Sequence, residues 1–290
     1  MIYDVRQTTT CSYATPVARA RHVLRLTPVS RDGERVHVAA LQILPEPAQR
    51  REGQDFFGNR LTWIEVDTPH ETLTVKLSAR VAVDPEPVPS ETPPWEKVRE
   101  EAFATSDIGP LSPAHFLFPS RIVSLDPEIR DYVRQSFSPD RPLLEAATEL
   151  IGRMKADIVY EIGATTVTTT PPMSFALRRG VCQDFAHIMI SGLRGLGLPA
   201  AYVSGYLRTA PRTGEPRLQG ADAMHAWVLL WCGSAAGWIG FDPTNAVLAL
   251  EDHVMLAVGR DYTDVAPIDG VILGSGGQRI DVSVNVIPVS

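Results

Sequence analysis

The spacing of apolar residues changes along the chain, and each change marks a different kind of element. Over residues 1–83 apolar and polar positions alternate in short runs. Tyr3, Val5 and Gln7 oppose Ile2 and Asp4, and Val23-Leu24-Arg25-Leu26 runs into Thr27-Pro28. Val36 to Leu44 alternates until Pro45 and Pro47, Arg60 to Val66 follows the turn signal Gly58-Asn59, and Leu73 to Val83 alternates again. A period of two belongs to half-buried strands, so this block predicts a β-rich, sandwich-like domain over residues 1–84. Pro85, Pro87, Pro89, Pro93 and Pro94 then predict an extended linker and a domain boundary.

Beyond the linker the period becomes helical. Asp126-Pro127-Glu128 supplies an N-cap, a first-turn proline and an acid, predicting a helix over 127–137. Leu144, Ala147, Leu150, Ile151 and Met154 predict another over 143–158. Pro171 or Pro172 starts a short helix that ends near Arg179, and Phe185, Met189, Leu193 and Leu196 share one face of a helix starting at Cys182. Strands follow at Val203–Thr209, at Ala223–Trp231, at Gly237–Asp242 and over 280–289. The turn between Cys232 and Gly237 joins two of them into a hairpin. Residues 85–140 therefore read as a linker and helical connector, and 141–290 as an α+β core with C-terminal strands.

Composition narrows the function classes. The 290 residues carry a net charge of −7, and the basic residues are scattered, which argues against a nucleic-acid partner. No apolar stretch approaches a membrane span, and Met1-Ile2-Tyr3-Asp4 does not open a secretory signal. Three widely spaced cysteines, Cys11, Cys182 and Cys232, form neither a disulfide framework nor a zinc pair. A cytoplasmic protein without a metal or cofactor is the expectation.

The candidate chemistry lies in three segments. Gly180-Val181-Cys182-Gln183-Asp184 puts a thiol on the first turn of a helix, where unpaired backbone N–H groups stabilise a thiolate. A buried, inert cysteine is the competing reading. His225 and Asp242 fall at the open end of the hairpin, close enough for the carboxylate to accept the imidazole Nδ1–H. A nucleophile, a base and an orienting carboxylate are the parts of covalent acyl transfer. His187 follows Cys182 by five positions, about 140° around the helix, and so faces away from it. His22, His37, His70, His115 and His253 sit in no motif and read as packing or surface residues. Gln183 and Tyr160 are weaker candidates for the oxyanion site and the cleft wall. Cys232 reads as inert, and Trp227, Trp231 and Trp238 as core or cleft wall.

These segments resemble the transglutaminase-like superfamily, in its arm of small bacterial proteins regarded as cysteine proteases. The resemblance runs through Arg179–His187, Gly197–Tyr206, Met224-His225-Ala226-Trp227, Gly240–Asn245 and Val258–Pro267. It covers roughly residues 140–270, and residues 1–85 look like the β-rich domain that accompanies this core. It implies a papain/transglutaminase-like fold, with the nucleophile's helix packed on an antiparallel sheet. It also implies Cys182 as nucleophile, His225 as base and Asp242 as orienter. The superfamily holds peptidases, amide hydrolases, deamidases, cross-linking enzymes and inactive members. A peptide or protein substrate is expected, with hydrolysis ahead of amine transfer to glutamine, and an amine as co-substrate in the second case. A non-catalytic scaffold on the same fold is the third class. The oligomeric state is not readable from the sequence.

Overall fold

The computed structural model describes residues 1–208, 214 and 223–289. Six strands open the chain: β1 (Ile2–Val17), β2 (Arg19–Leu24), β3 (Glu34–Leu44), β4 (Gln49–Gln54), β5 (Arg60–Val66) and β6 (His70–Val83). The connector holds α1 (Trp95–Ala104) and α2 (Pro127–Arg134). The core follows as α3 (Leu143–Asp157), β7 (Val159–Tyr160), α4 (Pro171–Leu177), β8 (Arg179–Gly180), α5 (Cys182–Gly195), β9 (Ala200–Leu207), β10 (Met224–Trp231), β11 (Trp238–Asp242), β12 (Val247–Leu248), β13 (His253–Gly259) and α6 (Tyr262–Val265). Two more strands, β14 (Ile268–Leu273) and β15 (Gln278–Val289), complete it. The expected strand from Val203 begins earlier and is described to Leu207; Thr209 lies outside the described residues.

The N-terminal strands form the expected sandwich. One sheet runs β15-β1-β6-β3 and the other β14-β2-β5-β4. Their inner faces meet in a core that includes Tyr3, Val5, Leu24, Val66, Leu73 and Val81, the inward set of the period-two pattern. The two C-terminal strands differ from the sequence grouping. β14 pairs with β2 and β15 with β1, so residues 268–289 complete the sandwich rather than the core. The connector also differs. Trp95, Val98, Ile129, Val133 and Phe137 are buried in the same cluster as α3 and α5. Asp126 caps α2 by accepting from the N–H groups of Glu128 and Ile129, as its position before Pro127 implies.

In the core, α5 lies against an antiparallel sheet ordered β12-β11-β10-β9-β13. The helix is buried on nearly every side, from Asp184 to Arg194. Ala226, Val228 and Leu230 of β10 join its cluster, while Trp227 packs on the opposite face with Val203 and Val258. No helix among the described residues is long and apolar enough to cross a membrane.

The sandwich covers the outer edge strand of the core. Asn59, in the β4–β5 turn, donates from Nδ2 to the Val258 carbonyl (2.7 Å) and accepts the Val258 N–H on Oδ1 (2.8 Å). A side-chain amide thus completes the ladder of β13 and removes an exposed edge. Glu34 Oε2 accepts the Met255 N–H (2.7 Å) beside the register shift between Met255 and Ala257.

Candidate active site

Cys182 is the first residue of α5. Its helix start is fixed by Asp184, whose Oδ2 accepts the Val181 N–H (2.8 Å) and the Thr165 hydroxyl (2.6 Å). A carboxylate at the third helical position satisfies an orphan donor and suits the helix dipole. Gly180 makes this possible, because a Cβ there would lie 2.5 Å from Asp184 Oδ2. The N–H groups of Cys182 and Gln183 open the helix and have no intrahelical acceptor. Cys182 is half-buried, whereas Cys11 and Cys232 are buried.

His225 is the second residue of β10 and is fully buried. Its Nε2 lies 3.0 Å from Asp242 Oδ2, at the end of β11. The sequence reading placed this bond on Nδ1; the structure places it on Nε2. The two residues meet at the open end of the hairpin, beyond the Val228–Phe241 pair, and the ring presents its far nitrogen to the carboxylate. Nδ1 has no hydrogen-bond partner among the described residues and is left for Cys182. Burial opposes a positive charge on His225, but the Asp242 carboxylate and the nearby Cys182 raise its pKa above the usual imidazole range.

Asp242 accepts five hydrogen bonds. Oδ1 takes the backbone N–H groups of Thr244 (3.0 Å) and Asn245 (3.1 Å). Oδ2 takes Asn245 Nδ2 (2.7 Å), His225 Nε2 and His253 Nε2 (3.2 Å). Burial alone would favour the neutral acid, but His225 and these donors keep the pKa below the ordinary carboxylate range. The one carboxylate thus closes the local turn through Oδ1 and orients the imidazole through Oδ2.

His253, assigned to packing from sequence, is the residue that reasoning missed. It stands at the start of β13, beyond β9 from His225, and no local motif marks it. His225, Asp242 and His253 offer three ligand atoms within 4.8 Å of one another. Both histidine nitrogens are already directed at one Asp242 oxygen, which makes this a hydrogen-bonded cluster rather than an open metal cage.

Comparison with known proteins gives two family matches along the chain. Residues 3–82 match the N-terminal region of bacterial transglutaminase-like proteins, and residues 130–243 match the transglutaminase-like superfamily. An uncharacterized protein of Mycobacterium tuberculosis is 37% identical over 99% of this chain and 92% of its own length. The chain belongs to the transglutaminase-like superfamily. A protein-glutamine gamma-glutamyltransferase of Pseudomonas aeruginosa is 29% identical over 41% of this chain and 18% of its own length. A solved structure from Cytophaga hutchinsonii, designated a cysteine protease candidate, has a TM-score of 0.75 at 21% identity. It covers 100% of this chain and 92% of that one, and supports the papain/transglutaminase-like α+β fold.

The remaining candidates from sequence fall on both sides of the cluster. Tyr160 is half-buried, and its pKa is raised by burial and then by the charges of Cys182 and Asp242, so it borders these two residues. Gln183 turns its side chain to the Val167 carbonyl (3.4 Å), toward the loop before α4. His187 is buried against Tyr202, and its Nε2 accepts the Tyr262 N–H (3.2 Å). It serves to join α5 to α6. Burial holds its pKa down to about 4. Cys232 is buried, and burial pushes its thiol up to about 12.

Proposed function

We propose that the protein is a cysteine-dependent acyl-transfer enzyme that hydrolyses a peptide or amide bond through a Cys182-His225-Asp242 triad. One observation carries this reading. The thiol at a helix N-terminus adjoins an imidazole whose other nitrogen is bound to a fully buried, ionised carboxylate. With Nε2–H donated to Asp242, the Nδ1 lone pair takes the Cys182 proton. The thiolate attacks the carbonyl carbon, and the oxyanion lies at the N–H groups opening α5. His225 returns the proton from Nδ1 to the leaving amine, and a thioester forms. Water, deprotonated by His225, then releases the acid and the free thiol.

A second reading has a specific observation behind it. The Pseudomonas aeruginosa relative is a protein-glutamine gamma-glutamyltransferase, and an amine replacing water at the thioester step is the same chemistry. Product mass separates the two: hydrolysis of a peptide bond adds water, deamidation adds about one dalton, and transfer adds the amine less ammonia. The decisive experiment is the pH dependence of Cys182 alkylation, read by peptide mass spectrometry in the wild type and in His225→Ala. Rapid modification in mildly acidic buffer, lost in the variant, supports the pair. Equal, slow modification of both would favour a non-catalytic scaffold. Cys182→Ala should abolish turnover with the fold intact, and retained turnover would remove Cys182 as nucleophile.

A further inference from the structure

Asp242 is held from two sides, and only one belongs to the proposed triad. His225 and His253 lie on one face of the sheet with β9 between them, since His225 pairs with Gly205 and Gly205 with Met255. Gly205 leaves this face open. A Cβ there would lie 2.2 Å from the Val254 carbonyl oxygen and 2.4 Å from the Trp227 ring. Trp227 fills the space, and His253 packs edge-on against it at 5.2 Å between centroids. From there Nε2 of His253 reaches Asp242 Oδ2.

The other ring nitrogen looks elsewhere. His253 Nδ1 is buried without a partner among the described residues, and so is Glu34 Oε1. Both residues line one cavity of about 200 Å³ between the sandwich and the core, walled also by Trp227 and Met255. With Nε2–H donated to Asp242, His253 Nδ1 carries a lone pair and accepts, whereas burial raises the Glu34 pKa to about 8, so its unpartnered Oε1 carries the proton and donates. One water accepting from Glu34 Oε1–H and donating to His253 Nδ1 satisfies both, and the cavity is large enough to hold it. Glu34 also grips the strand carrying His253, through the Met255 N–H two residues on.

We propose that His253 is a positioning residue for the Asp242 carboxylate, and that the N-terminal β domain holds it in place through Glu34 and a water in the shared cavity. The sandwich is then part of the site's support rather than an appendage. The inference rests on the reading of Cys182, His225 and Asp242 as a thiol active centre. The charged and titratable groups around it are Arg31 and Tyr206 beside Glu34, Asp32 and Glu86 on the cavity wall, and Asp242 and His225 beside His253.

The test uses the full chain and needs no substrate. Cys182 alkylation by iodoacetamide is followed against pH in the wild type, His253→Leu and His253→Gln. Leucine removes the donor, and glutamine offers one at the Nε2 position. The expected result is a loss of about tenfold or more in low-pH reactivity for His253→Leu, the worth of one charge-assisted hydrogen bond, with most of it regained in His253→Gln. Nitrogen NMR supplies a second reading, whose wild-type tautomer does not depend on the folding of any variant. It should show His253 as the Nε2–H tautomer, with an Nδ1 resonance that moves in Glu34→Gln. A superimposable profile in His253→Leu, an Nδ1–H tautomer, or an Nδ1 resonance indifferent to Glu34→Gln overturns the inference while leaving the triad standing. A wild-type Cys182 no more reactive than a free thiol overturns the triad, and this inference with it.

Discussion

Replacing Asp242 by asparagine exchanges a carboxylate oxygen for an NH2 group, and the geometry makes that exchange severe. The backbone N–H groups of Thr244 and Asn245 both point at Oδ1 and cannot turn away. The asparagine must keep its carbonyl oxygen there, so its NH2 group replaces Oδ2. Three donors converge on that position, from His225, His253 and Asn245. A donor cannot accept them. His225 can relieve the clash by moving its proton to Nδ1, but that nitrogen then no longer accepts the Cys182 proton. A catalytic histidine held in the wrong tautomer costs about 10⁴-fold in turnover. Breaking a buried charge cluster also costs roughly 3–5 kcal/mol of stability. The assay is Cys182 alkylation between about pH 5 and 9, beside urea unfolding of the same variant. Alkylation within about threefold of wild type throughout, with an unchanged urea midpoint, would refute the reasoning.

Three further predictions concern the frame. His187 has a folded-state pKa of about 4 against 6.5 unperturbed, so its contribution is present above pH 6.5 and is lost as pH falls toward 4. At about 1.36 kcal/mol per unit this is roughly 3 kcal/mol, and His187→Gln, which can still accept the Tyr262 N–H, should show a flatter stability curve over that interval. A His187→Gln curve parallel to wild type would exclude the assignment. Gly205→Ala should destabilise by about 3 kcal/mol or more, because the new methyl meets fixed backbone and the Trp227 ring; a thermal melt within a degree or so of wild type would count against it. Asn59→Ala strands both backbone groups of Val258, at about 1–3 kcal/mol each, and should speed proteolysis within β13. Equal cleavage rates would show that the sandwich does not protect that edge.

Much of this architecture was legible because its signals are local. The Pro127 helix, the Cys182 helix and the Trp231–Trp238 hairpin each carry their own caps, periods and turns, and their boundaries fall within a few residues of those expected. What was not legible depends on pairing between distant strands. His253 gains its place only because β13 joins β9, and nothing near residue 253 encodes that partner. The choice of Nε2 over Nδ1 in His225 depends on ring orientation, which alternation along a strand does not specify. The destination of β14 and β15 was hidden for the same reason: an alternating strand shows that it has a buried face, not which sheet supplies the cover.

That last pairing bears on how the chain is made. β15 runs beside β1 from Ile2 opposite Val289 to Tyr13 opposite Gln278, so β1 waits for one of its two neighbours while more than 260 intervening residues are added. On a ribosome adding about 5–20 residues per second, that wait is roughly 15–60 seconds. Meanwhile the sandwich has unpaired rims along β1 and β2, while the core between them is already able to condense. Pairing across so long a loop is intrinsically slow, so the sandwich is the last part of the fold to close. A chain stopped before residue 268 would carry every group of the thiol cluster and still leave both rims bare. Its failure would be one of solubility rather than of chemistry.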